Sequence, residues 1–145
     1  MKRIHTQIEI DAPASRIWEM LTDFARYPEW NPFILEAQGI ASPQEKLRVR
    51  IKAPTYKPVT FKPKVVVAAD GKKLCWLGRL GIPGLFDGQH CFELETLPDG
   101  KVRFTQSEDI SGILTPFMGN VLEQTRRGFE FMNEALKRRA ESPDA

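Results

Sequence analysis

Ile4, Thr6, Ile8 and Ile10 alternate with Arg3, His5, Gln7 and Glu9, the period of two that marks a strand with one buried and one wet face. Toward the other end, Phe117, Val121, Leu122, Thr125, Phe129, Met132 and Leu136 recur at helical spacing. Glu123, Arg126, Arg127, Glu130, Glu134, Lys137 and Arg138 fill the remaining positions, and the two sets together predict an amphipathic helix. Thr115 and Pro116 supply an N-cap and a first helical residue. The pattern runs to about Ala140, which at 1.5 Å per residue gives ~37 Å, enough to cross a sheet. Between these ends, stretches 33–38, 47–51, 61–69, 74–79, 90–96 and 102–110 read as strands. Asp70-Gly71 predicts a two-residue hairpin turn, and Pro98-Asp99-Gly100 a second reversal. Pro63 conflicts with a central strand and predicts a bulge or local edge. The fold class expected is α+β: a curved antiparallel sheet of six or seven strands wrapped around a long C-terminal helix, with two short helices after strand 1.

The run Tyr27-Pro28-Glu29-Trp30-Asn31-Pro32 interrupts this pattern. Two prolines and two large aromatics in six residues predict a rigid corner between helix and sheet, because proline fixes φ and lacks the amide donor. Upstream, Pro13 opens a helix to about Met20. A shorter helix follows, with Thr22 as its N-cap and Pro28 as its stop. Strand, helix, proline-aromatic corner and then strands, with Gly88, the strand His90-Cys91-Phe92-Glu93-Leu94, Phe104 and Glu108 further on, resemble the START/Bet v 1-like (SRPBCC) superfamily, in its polyketide cyclase/dehydrase-like branch. The resemblance spans nearly the whole chain. It implies a single ligand-binding domain over 1–140, with a disordered tail at 141–145, and an apolar cavity between the sheet and the last helix. Periodicity alone predicts only a core there.

Composition narrows the function classes. A chain of 145 residues is one domain. Lys+Arg at 21 against Asp+Glu at 19 leaves +2, no footprint for nucleic acid, and Arg48-Val49-Arg50-Ile51-Lys52 alternates as the wet face of a strand does. No run approaches the ~20 apolar residues of a membrane span, and Met1-Lys2-Arg3 leads straight into the first strand without a signal-type apolar region. Two cysteines without metal-ligand spacing predict neither a zinc site nor a disulfide framework, so two free thiols in a cytoplasmic protein without cofactor are expected. Gly78, Gly81, Gly84 and Gly88 around Pro83 do not match a phosphate-cradling pattern and read as a flexible loop beside a pocket.

Turn length and alternation together give a register. The Asp70-Gly71 turn sets Ala69 opposite Lys72, Val67 opposite Leu74 and Val65 opposite Trp76. Phe92 and Leu94 must point inward, since Glu93 and Glu95 would otherwise be buried, and the same parity sends His90 inward. Val102 and Phe104 carry Gln106 and Glu108 to the same face. The outcome is an inner row Leu47, Val65, Trp76, His90, Glu108, with His90 beside Glu108, while Cys75 and Cys91 fall outside as candidate cross-strand neighbours, for which a cytosolic setting favours two free thiols over a bridge. His5 lies on the outer face and reads as a surface residue.

An imidazole beside a carboxylate in an apolar cleft is one arrangement for general acid–base chemistry, so His90 and Glu108 are the candidate catalytic residues. The simpler reading is that they satisfy each other or hold a ligand's hydroxyl or carbonyl, for no serine or cysteine shares their face. The candidate ligand-binding residues are Phe61, Val65, Val67, Trp76, His90, Phe92, Phe104, Gln106, Glu108, Phe117, Val121, Thr125 and Phe129. The leading expectation is a module that binds a small hydrophobic molecule: a lipid, polyketide, isoprenoid or aromatic compound. The resemblance implies two rivals, a polyketide cyclase/aromatase-like enzyme using the pair, and an accessory or quinone-type lipid carrier docking on a larger enzyme. A protein partner or homodimer is left open.

Overall fold

In a computed structural model of the protein, residues 2–79 and 84–143 are described. The order is β1 (Lys2–Ile10), α1 (Ala14–Thr22), a 3-10 turn (Phe24–Arg26), α2 (Tyr27–Trp30), β2 (Ile34–Gln38), β3 (Arg48–Ile51), β4 (Val59–Phe61), β5 (Lys64–Ala69), β6 (Lys73–Arg79), β7 (Asp87–Thr96), β8 (Val102–Ser111), a second 3-10 turn (Thr115–Phe117) and α3 (Gly119–Glu141). The strands form two antiparallel sheets, β1-β8-β7-β6-β5 and β2-β3-β4. Pro63 accounts for the division. It breaks the 61–69 stretch between β4 and β5, and its carbonyl accepts from Leu47 N at 2.8 Å while Val65 N donates to Glu45 O at 2.9 Å. The second sheet therefore continues the curve of the first around α3.

The corner is built as its residues require. Tyr27 is fully buried, its hydroxyl donates to Leu21 O at 2.5 Å, and its ring meets Phe24 and Trp30 edge-on at 5.5 and 5.4 Å. Burial, with Asp23 adding to it, pushes the Tyr27 phenol up and keeps that donor in place. Buried Asn31 accepts from Phe33 N at 3.0 Å and Ile34 N at 2.8 Å through Oδ1, aiming the chain into β2. Pro28 sits in the first turn of α2 rather than ending a helix, where its missing amide costs nothing. Thr22 closes α1 by donating to Trp18 O at 2.9 Å, so it is not an N-cap.

Two further expectations change at the ends of α3. The helix starts at Gly119 without a side-chain cap, and Thr115 and Pro116 belong to the preceding 3-10 turn. At the far end α3 includes Glu141, whose Oε2 accepts from Asp11 N at 2.8 Å, and Arg16 donates to Ser142 O at 2.6 Å. The tail expected from 141 therefore does not begin there, and 144–145 lie outside the described residues.

Buried Gly128 lets α3 settle onto the corner, for a Cβ there would collide with the Phe33 ring. That ring is 2% exposed and packed edge-on against Phe129 at 5.3 Å, so it cannot move aside. Gly128→Ala is expected to destabilise the fold by about 1–3 kcal/mol, despite the ~1 kcal/mol that alanine gains in a helix. Urea unfolding measures this, and an unchanged or higher midpoint would show that α3 stands further from β2 than described.

Candidate functional site

Alternation places one row of side chains under α3. Val65 faces Trp76, Trp76 faces His90, and His90 faces Glu108, the predicted order. The hairpin reaches that register by a different route. Ala69 pairs with Lys73 rather than Lys72, because Gly71 at φ +72° and Lys72 extend the turn by one residue. A bulge at Val66 then restores Val65 opposite Trp76. Between the two offsets Val67 pairs with Cys75 instead of Leu74 and so lies on the outer face, a correction to its place among the ligand-binding candidates.

The middle of the row is filled by its own side chains. The His90 ring is stacked on Trp76 at 5.2 Å and met edge-on by Phe92 and Phe129, each at 4.8 Å. Phe92 stacks on Phe104 at 5.9 Å. Val65, Trp76, Phe92, Phe104, Gln106 and Phe129 are all buried, as parts of one packed aromatic floor. Both ring nitrogens of His90 are engaged, Nδ1 with Glu108 Oε1 at 3.0 Å and Nε2 with Gln106 Oε1 at 2.9 Å. Gln106 Nε2 donates to Asn133 Oδ1 at 2.8 Å, and Asn133 Nδ2 donates to Thr6 Oγ1 at 2.9 Å. The Thr6 hydroxyl donates in turn to Gln106 O at 2.9 Å.

Packing loosens toward the N-terminal end of α3. Phe129 is buried, but Thr125 and Val121, one and two turns earlier on the same stripe, are half-buried, as are Ile51, Phe61, Phe86 and Met118, while Leu122, between Val121 and Thr125, stays buried. On the sheet below, Gly78 pairs directly with Gly88, on the same face as Trp76 and His90. Gly78 falls in the strand expected over 74–79, and Gly88 is a strand residue rather than part of a loop as expected, while Gly81 and Pro83 lie outside the described residues. The Phe61 ring covers Gly78, and the Glu108 carboxylate covers Gly88. Phe117, expected on the inner face of the helix, is 84% exposed, because the helical phase does not extend back into the 3-10 turn. Surface depressions of about 290, 430 and 700 Å³ lie elsewhere, against α1 and its neighbours near Arg16, Trp18 and Thr22.

On the outer face, Cys75 and Cys91 are directly opposed with Cα atoms 4.2 Å apart and form a disulfide between β6 and β7. This corrects the expectation of two free thiols: cross-strand opposition brings the sulfur atoms together, whatever the spacing in sequence. His5 is exposed on that face as expected. Among the described residues no cluster of His, Cys, Asp and Glu is arranged to hold a metal ion, and no helix is long and apolar enough to cross a membrane.

Sequence reasoning missed Asn133 and undervalued Thr6. Both carried a signal, a polar residue at a position whose periodicity demands an apolar one: Asn133 lies four residues after Phe129, and Thr6 between Ile4 and Ile8.

The chain belongs to the family described as polyketide cyclase / dehydrase and lipid transport, which matches residues 1–141. Among solved structures it is similar to a START superfamily protein from Mycobacterium smegmatis, with 21% identity, 96% of this chain and 97% of that chain covered, and a TM-score of 0.74. It is also similar to the Zhui aromatase/cyclase from Streptomyces sp. R1128, at 13% identity over 97% of this chain and 93% of that chain, TM-score 0.74. The hypothetical protein jhp0584 from Helicobacter pylori shares 12% identity over 97% and 88% of the two chains, TM-score 0.80. No curated protein matches in sequence. At these identities the structural neighbours establish the helix-grip fold.

Proposed function

We propose that this member of the polyketide cyclase / dehydrase and lipid transport family holds a small hydrophobic molecule at the N-terminal end of α3, above the Gly78–Gly88 pair. The observation that carries the reading is the change in packing along one stripe of the helix, from buried Phe129 to half-buried Thr125 and Val121. It occurs over the Gly78–Gly88 pair, whose missing side chains let the Phe61 ring and the Glu108 carboxylate settle onto the sheet. Apolar groups from the helix and both sheets converge there around one carboxylate, the usual make-up of a small-molecule site. Burying ~400 Å² of apolar ligand surface yields ~10 kcal/mol gross. Association costs of at least ~4 kcal/mol then leave micromolar affinity within reach.

A carrier fits the pair better than a catalyst does. The His90 ring is 4% exposed and both its nitrogens already have partners, so Glu108 is the member that a ligand meets. Val121→Trp is expected to fill the open end, weakening the binding of a fluorescent apolar probe at least tenfold while the thermal midpoint holds. Unchanged probe binding would move the ligand elsewhere. Native mass spectrometry of freshly purified protein would identify a retained molecule directly.

A further inference from the structure

The hydrogen bonds running inward from His90 have a fixed direction, set by one group that has no choice. Gln106 O is a backbone carbonyl and only accepts, so the Thr6 hydroxyl must spend its single proton on it. Thr6 Oγ1 therefore accepts from Asn133, which must present its amide nitrogen. Asn133 Oδ1 is then left facing Gln106, which must present Nε2, a polarity that also suits its second contact with Phe129 O at 3.5 Å. Gln106 Oε1 is left facing His90 Nε2, and that nitrogen must carry a proton.

With Nε2 protonated, the 3.0 Å contact between His90 Nδ1 and Glu108 Oε1 needs one proton between the two atoms. Either the imidazolium donates to a carboxylate, or a neutral carboxylic acid donates from Oε1 to a neutral ring. In both cases the other oxygen, Oε2, presents lone pairs and no hydrogen. Oε2 has no hydrogen-bond partner among the described residues, and it lies above Gly88, 2.8 Å from where a Cβ would stand. The Glu108 side chain is 19% exposed against 5% for His90, so the carboxylate is the open end of the chain.

We propose that Glu108 Oε2 is a recognition point that selects hydrophobic ligands carrying a hydrogen-bond donor, a hydroxyl or phenol, over the same skeleton carrying only an acceptor. Thr6, Asn133 and Gln106 act as positioning residues that hold the selectivity whichever partner owns the shared proton. A site built to accept from a ligand hydroxyl discriminates well against an analogue that leaves its oxygen unpaired. This rests on the ligand-binding reading above.

The test compares 2-naphthol, 2-methoxynaphthalene and naphthalene by calorimetry on the whole protein. The wild type is expected to bind 2-naphthol at least tenfold more tightly than the methyl ether. Glu108→Met should bring the two within threefold of each other. Glu108→Gln should keep the preference, since the amide nitrogen donates to Nδ1 and its oxygen takes the place of Oε2. Should Glu108→Met fail to fold, Gly88→Ala displaces the carboxylate from the floor and should erode the preference equally. Equal affinities for the naphthol and its ether in the wild type would overturn the inference and leave the pocket standing. Failure to bind any of the three would remove the pocket and the inference together. Nitrogen-15 spectra of His90 provide an independent readout: an unprotonated Nε2 would overturn the directional argument whatever the affinities.

Discussion

Phe129→Ala is expected to lower the unfolding free energy by about 3–5 kcal/mol, the range for deleting a fully buried aromatic ring. Phe129 has no exposed surface; its ring meets His90 at 4.8 Å and Phe33 at 5.3 Å, both edge-on. The neighbours cannot close the gap. His90 is held by two hydrogen bonds, Phe33 is wedged against Gly128, and Trp76 is pinned between His90 and the edge of Phe24. The cost should therefore fall toward the upper end, because the cavity persists instead of collapsing. Guanidinium unfolding measures it. A loss below ~1 kcal/mol would mean that the middle of the grip is not packed as described, and that ligand space extends further under α3.

The parts of this arrangement that could be read in the sequence are those fixed by two-way constraints. Phe92 and Leu94 could not point outward without burying Glu93 and Glu95, and a slip of one residue in β8 would have exposed Phe104 while burying Arg103. The facing of His90 and Glu108 follows from those parities. The longer hairpin turn and the Val66 bulge are one-sided: each shifts the register by one residue, they cancel at Val65, and only the segment between them, Val67 with Ala68 and Ala69, changes face. Phe117 was misplaced because helical spacing locates a face but not the first residue of a helix. The disulfide was misjudged because its motive was an assumed compartment, while the geometry needed only the pairing of Cys75 with Cys91. Asn133 stayed hidden for another reason. An amide on an apolar helical stripe becomes favourable only through partners on β1 and β8, which are distant in sequence.

That buried chain of polar groups gives the second large effect. His90→Leu removes the donor to Gln106 Oε1 and the partner that shares a proton with Glu108 Oε1 at once, with little change in side-chain size. Each buried polar group left without its partner costs about 1–3 kcal/mol, and partial exposure of Glu108 moderates its share. A loss of about 2–4 kcal/mol is expected. The informative step is to add Glu108→Leu. Alone, that change deprives only His90 Nδ1 of its partner. In the His90→Leu background it removes a carboxyl group that had already lost its partner, and it adds apolar surface beside Trp76. The double variant should therefore be more stable than the sum of the single losses predicts, with a coupling energy of about 0.5–3 kcal/mol from the double-mutant cycle. Losses that add within ~0.5 kcal/mol would show that the two side chains do not share a proton in solution, and the reason for Glu108 to present a lone acceptor to the ligand would go with them.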